Sequence, residues 1–175
     1  LEKIKIQQRN WIGKSLGINV TYPIEGLNKT VTVFTTRPDT NFGATFLAIS
    51  PDLAATWMSN GWQANAEVKA YVSATKTEQA TRTFEEKEKT GIDTGIRAIN
   101  PANNETLPVW IVNYVLGSVG TGAIMAVPAH DERDFDFARK YNVPIRQVVK
   151  PIFGLTNKRP DAVHRETISA IVRRP

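Results

Sequence analysis

Residues 120–141 read GTGAIMAVPAHDERDFDFARKY, and this stretch sets the frame for the rest of the chain. Gly120 and Gly122 flank Thr121, which suits a tight turn or a close backbone approach by a ligand. The apolar residues that follow predict a strand over 122–127. Phe135, Ala138 and Tyr141 then recur at helical spacing and predict an amphipathic helix over 131–141, with Asp131 near its cap and Pro144 beyond its end. Pro128, Ala129, His130 and Asp131 therefore occupy a strand-to-helix junction, a place where backbone N–H groups and side chains turn into clefts.

Outward from that frame, strands and helices alternate. Runs rich in β-branched and aromatic residues predict strands at 18–22, 30–35, 45–49, 95–99 and 107–115. Ser50-Pro51-Asp52 makes a helix start for 53–58. Val68, Tyr71, Val72 and Thr75 share one helical face within 64–77. FEEKEK (84–89) reads as an exposed helical turn, and INPANNETLPVW (99–110) as a hairpin loop between two strands. The fold class expected is mixed α/β, with a β core that is barrel-like or open and peripheral helices; the strand pattern does not settle closure. The domain reading is a connecting segment at 1–15, a body at 16–150 and a basic extension at 151–175. That extension is read as a return linker or the start of a further module, VHRETISAIVRRP (163–175) resembling the opening of a Nudix-like one, with a strand at 168–172. The opening and closing residues read as cuts through a larger protein.

Composition narrows the chemistry. There are no cysteines, so disulfide frameworks and thiolate metal sites are excluded. With two histidines, His130 and His164, a zinc site would have to rely on carboxylates. No apolar run approaches the length of a membrane span and no signal-peptide core is evident, so a soluble, cytoplasmic protein without a membrane partner is expected. Residues 1–138 carry 13 Lys/Arg against 15 Asp/Glu, whereas residues 139–175 carry 9 against 2. A basic end on a near-neutral body points to polyanion contact, nucleic acid first, or else to a solvated basic tail.

Two stretches carry the chemistry. VFTTRPDT (33–40) places three hydroxyls and a cation within a few positions at the end of a strand. In the second, Asp131, Glu132 and Asp134 crowd a first helical turn, where acids ordinarily cap N–H groups and complement the helix dipole. The alternative is that one carboxylate faces a pocket and meets a cation or an ammonium. Asp131 and Asp134 share a face, so a divalent metal is a further alternative. His130 is either a satisfied structural residue or a general base. No G-x-S-x-G elbow occurs, and acyl-enzyme chemistry has no support.

Together, TTRPDT (35–40) and GTGAIMAVPAHDERDFDFARKY (120–141) resemble the editing domain of bacterial-type leucyl-tRNA synthetases, the insertion called connective polypeptide 1. QQRNWIGKSLG (7–17) resembles the segment leading into that insertion, and LPVWIVNYVLGSVGTG (107–122) the strand region before the second motif. Valyl and isoleucyl enzymes share the threonine-rich stretch and the GTG turn. Asp39 and the run MAVPAHDERDF look leucyl. The resemblance covers roughly residues 1–150.

It implies hydrolysis of the ester that joins a wrong amino acid (isoleucine, methionine or norvaline) to the 3′-terminal adenosine of tRNA(Leu). By motif position, Asp134 would bind the substrate's α-ammonium, and Thr35 and Thr36 would hydrogen-bond the substrate and place the attacking water. Thr40 would block the cognate leucyl side chain, and Met125 and Val127 would lie against the terminal nucleoside. Arg37 and Asp131 would support the pocket through a mutual ion pair, and His130 would join the substrate-binding residues. The implied partners are the aminoacyl-adenosine end of tRNA(Leu) and the rest of the synthetase chain. No cofactor or metal is implied for the domain itself, ATP and Mg belonging to the full-length enzyme. Val119 departs from the aromatic residue common before the GTG turn, which bears on a pocket wall. A non-catalytic tRNA-binding module of the same fold is the alternative, and a carboxylate-metal hydrolase a third reading.

Overall fold

The computed structural model describes residues 2–12, 16–26, 29–81 and 88–150. In chain order the elements are α1 (Glu2–Ile12), β1 (Ile18–Pro23), β2 (Thr30–Thr35), a 3-10 turn (Pro38–Gly43), β3 (Phe46–Ile49), α2 (Pro51–Ser59), α3 (Ala66–Thr81), β4 (Gly91–Ile99), β5 (Thr106–Val112), β6 (Ala123–Ala126) and α4 (Glu132–Tyr141). Within the described residues, every strand and long helix expected from the sequence is present, with ends displaced by a few residues. The helix α1 was not foreseen in the connecting segment: its Ile4 and Ile6 are exposed, so no buried stripe marks it.

β3 organises the core because all four of its residues are buried. It pairs parallel with β5 and antiparallel with β6, and β4 extends the sheet beyond β5. The parallel pair requires a crossover, supplied by α2, α3 and β4. On one face, Leu47 and Ile49 join Tyr22, Val33, Val68, Val109, Ile111 and Met125. On the other, Phe46 and Ala48 join Phe137, Val112 and Ala126. Phe137 fixes α4 there, its ring stacked 4.5 Å from Tyr141 and 5.2 Å from Phe46. Truncating such a fully buried phenylalanine costs about 3–5 kcal/mol.

The β1–β2 hairpin is a second sheet, in register from Ile18↔Thr35 to Pro23↔Thr30. It attaches to the first through the Ile24↔Ala98 bridge and the Glu25 N–H donating to the Arg97 carbonyl at 2.8 Å. At the other end β2 lies beside β6, but no ladder joins them. Among the described residues, the barrel-like or open core expected from the sequence is thus a curled, unclosed arrangement of two sheets. The gap between β2 and β6 is where a ligand-sized opening can form.

Local chemistry sets the helix starts and turns. The Ser50 hydroxyl accepts the Leu53 N–H at 3.1 Å and Pro51 opens α2, as the sequence pattern anticipated. The β4–β5 loop is held by Asn100 and Asn103, whose amide oxygens accept the N–H groups of Ala102 and Glu105. Asn104 there has φ of 59°. Most of FEEKEK, the predicted strand at 168–172 and the whole basic extension lie outside the described residues.

Candidate active site

One wall of the site is the exit from β2. The Thr35 hydroxyl accepts the Arg37 N–H at 3.0 Å, tightening the turn that Pro38 then carries into the 3-10 segment. The Arg37 carbonyl accepts both the Thr40 N–H (3.2 Å) and the Thr40 hydroxyl (2.8 Å). Thr40 is 2% exposed, and its hydroxyl is occupied by backbone. What it offers a ligand is bulk. The Thr36 hydroxyl is exposed and makes no hydrogen bond among the described residues.

Arg37 clasps Asp39 with two bonds of 2.9 and 2.8 Å. The guanidinium holds the Asp39 carboxyl below the usual carboxylate range. This replaces the expected Arg37–Asp131 ion pair: each residue has found a partner two positions away, Asp131 pairing with Arg133 at 3.2 Å. Closing so short a loop costs little entropy, and the local pairs win.

The facing wall runs from β6 into α4. Asp131 is the N-cap of α4, its Oδ1 accepting the N–H groups of Arg133 (2.9 Å) and Asp134 (3.3 Å). Its role is the capping one, and its carboxylate also pairs with the Arg133 guanidinium. Asp134 itself is 2% exposed. Its Oδ2 accepts the Val127 N–H at 2.9 Å and its Oδ1 the Tyr114 hydroxyl at 3.2 Å. Burial, reinforced by the Asp131 charge, pushes the Asp134 carboxyl up to about 7, while the Val127 and Tyr114 donors oppose the rise.

His130 is 6% exposed, and its Nε2 accepts the N–H groups of Val148 (3.3 Å) and Val149 (3.4 Å). A backbone amide can only donate, so these contacts use the Nε2 lone pair. The lone pair a general base would use is engaged in tying residues 148–149 to the turn before α4.

Between these walls lies a cavity of about 430 Å³. It is lined by Thr35, Thr36, Arg37, Thr40, Met125, Val127, His130, Asp131 and Asp134, the full set that the sequence motifs singled out. Phe34, Ile124 and Arg133 line it as well and were not anticipated. Arg133 had a readable signal, a cation two positions after a capping acid. Phe34 and Ile124 had only strand alternation. Val119 is 64% exposed and does not line the cavity.

A larger cavity of about 530 Å³ surrounds Trp57 and Trp62, with Lys29 as its only ionisable lining residue among those described. Size does not identify the reactive site. The smaller cavity combines a buried carboxylate with hydroxyls across from it, the arrangement that can hold a cationic polar ligand and a water. Among the described residues, no group of three His, Cys, Asp or Glu is gathered as a metal would need, and no helix is long and apolar enough to cross a membrane.

Comparison with known proteins identifies the family of the fold. The family model described as the leucyl-tRNA synthetase editing domain matches residues 9–169, continuing past the 150 boundary of the motif resemblance. The leucine–tRNA ligase of Fervidobacterium nodosum is 46% identical over 157 residues, covering 89% of this chain and 19% of the ligase. Among solved structures, the agnB2 LeuRS of Agrobacterium radiobacter, in a ternary complex with tRNA and LeuAMS, superposes with a TM-score of 0.68 at 33% identity. That match covers 98% of this chain and 20% of the synthetase, so the chain spans about a fifth of the relatives it resembles. The chain belongs to the leucyl-tRNA synthetase editing-domain family.

Proposed function

We propose that this chain carries out post-transfer editing: it hydrolyses the ester between a noncognate amino acid and the 3′-terminal adenosine of tRNA(Leu). The observation that supports this most is the single cavity bounded by Thr35, Thr36, Thr40 and Asp134. In this reading the ionised Asp134 receives the substrate's α-ammonium. Thr35, whose hydroxyl still has its proton to donate, and the hydroxyl of Thr36, without a partner among the described residues, hold the ester and the attacking water. Met125 and Val127 lie against the nucleoside. Thr40 excludes leucine by volume, so that isoleucine, methionine or norvaline esters are hydrolysed while Leu-tRNA(Leu) survives.

The reaction adds water to the ester carbonyl and breaks the bond to the ribose oxygen. The ribose oxygen takes up a proton, and the amino acid leaves as its carboxylate. Because an ester is already activated, a positioned water and a polarised carbonyl supply most of what the step needs. His130 is engaged with backbone, so the neighbouring ribose hydroxyl is the proposed assistant to the water. A second sieve is needed because one methylene or branch is worth only about 10–200-fold in binding.

No cofactor enters the proposed step. ATP and Mg, the rest of the synthetase, the domain limits at residues 16–150 and a cytoplasmic setting belong to the same proposal for the full-length enzyme. The test is a deacylation time course with norvaline-charged tRNA(Leu). Release by this chain and loss of release in Asp134→Ala support the reading. Binding without release would instead mark a tRNA-binding module.

A further inference from the structure

We propose that Tyr114 is a positioning residue of this site: its phenol hydroxyl holds the Asp134 carboxylate in place, and in its charged form, to receive the substrate's ammonium group. The inference rests on the editing reading above and adds to it a residue on an element outside both motifs.

The geometry comes from three elements meeting. Asp134 rises from the first turn of α4, and its Oδ2 is taken by the Val127 N–H at the end of β6. Its Oδ1 is met by Tyr114, in the turn just beyond β5, at 3.2 Å. Among the described residues these are the only hydrogen-bond donors to the two carboxylate oxygens. The other charged or titratable groups around Asp134 do not replace the phenol. Asp131, on α4, raises its proton affinity, and Arg133 is paired with Asp131. Across the cavity Arg37 is paired with Asp39, and His130 receives backbone N–H groups.

A carboxylate 2% exposed has little water to turn to. Without the phenol, Oδ1 would be a buried anionic oxygen lacking a donor, and its least costly response is to take a proton. A protonated Asp134 cannot anchor an ammonium. Tyr114 is suited to prevent this because its own hydroxyl stays protonated, burial and the Asp134 charge both disfavouring the phenolate. Its ring is held independently of any ligand, packed edge-on against Phe137 at 5.9 Å. Phenylalanine at this position therefore keeps the packing and removes only the donor.

The experiment uses Tyr114→Phe and the parent chain with norvaline-charged tRNA(Leu) between pH 5.5 and 8, together with a 13C-carboxyl NMR titration of Asp134. A hydrogen bond to a charged group corresponds to about tenfold or more in binding. At pH 7 the variant is expected to raise KM about tenfold with kcat changed less than about twofold. The acid limb of kcat/KM and the Asp134 titration should both move up by about one pH unit. A merely structural role would lower stability without moving either titration. If Asp134 titrates in Tyr114→Phe as in the parent, the proposal is overturned. If the parent deacylates nothing, the editing reading falls, and the carboxyl titration alone decides whether Tyr114 governs Asp134.

Discussion

The Thr40 hydroxyl donates to the Arg37 carbonyl at 2.8 Å while the residue lines the cavity. Exclusion by Thr40 is then a matter of volume, and two substitutions separate volume from hydrogen bonding. Thr40→Ala enlarges the cavity and is expected to release leucine from correctly charged Leu-tRNA(Leu). Thr40→Val keeps the bulk and loses the hydroxyl, so it should still spare Leu-tRNA(Leu) at a stability cost of about 1 kcal/mol in urea unfolding. If the valine variant also attacks Leu-tRNA(Leu), bulk alone is not the sieve.

Asp134 gives a pH dependence of stability with a definite sign. Its carboxyl rises from the ordinary 3.8 to about 7 in the folded chain. The folded state therefore binds this proton more tightly. The stabilisation is complete below about pH 4 and is lost as pH rises through about 7. Asp134→Asn cannot ionise, and its amide can still accept from Val127 and donate to the Tyr114 oxygen. The asparagine variant should be more stable than the parent above pH 7, by a few kcal/mol at most, with the gain shrinking toward pH 4. Urea unfolding at pH 4.5 and 8 measures it, and equal differences at both pH values would rule it out.

Much of this site was legible because its residues sit in two short motifs whose local structure is nearly self-contained. The turn after Thr35 closes on the Thr35 hydroxyl, and α4 is started by Asp131 and stopped by Asn142 in the left-handed conformation. The strands were legible for the same reason, as β-branched runs between turn residues. Longer-range facts were not. Whether β2 and β6 would join in a ladder depends on sheet curvature, which alternation does not encode. Tyr114 reaches Asp134 only because the end of β5 meets α4, and nothing in either segment names the other. The Arg37–Asp131 pair failed because nearer partners were present, a competition that motif position does not reveal.

His130 separates a structural role from a catalytic one. Its Nε2 accepts from Val148 and Val149, fastening the segment that also passes close to Gly43. His130→Ala is expected to destabilise the chain by about 1–2 kcal/mol and to speed hydrogen exchange at the Val148 and Val149 amides more than at β3. Deacylation per folded molecule should fall far less than in Asp134→Ala. A loss as deep as that of Asp134→Ala, with unchanged exchange at both amides, would return His130 to the list of acid–base candidates.

The GTG turn makes the last prediction, because its two glycines are needed for different reasons. Both have positive φ, 59° at Gly120 and 70° at Gly122. A Cβ at Gly120 meets nothing within 4 Å, so Gly120→Ala bears only the conformational penalty, roughly 1–2 kcal/mol. A Cβ at Gly122 would lie 3.1 Å from the Ser50 hydroxyl oxygen, which caps α2 through the Leu53 N–H. The Gly122 carbonyl also accepts the Ser50 N–H at 2.8 Å. Relief of that contact must disturb either the cap or the start of β6, the strand that carries Met125 into the cavity. Gly122→Ala should thus cost about 1 kcal/mol more than Gly120→Ala and should also weaken substrate binding. Asparagine, which tolerates the left-handed region, should rescue position 120 and fail at 122. Equal unfolding midpoints for the two alanine variants would mean that the approach of Ser50 to Gly122 carries no energetic weight.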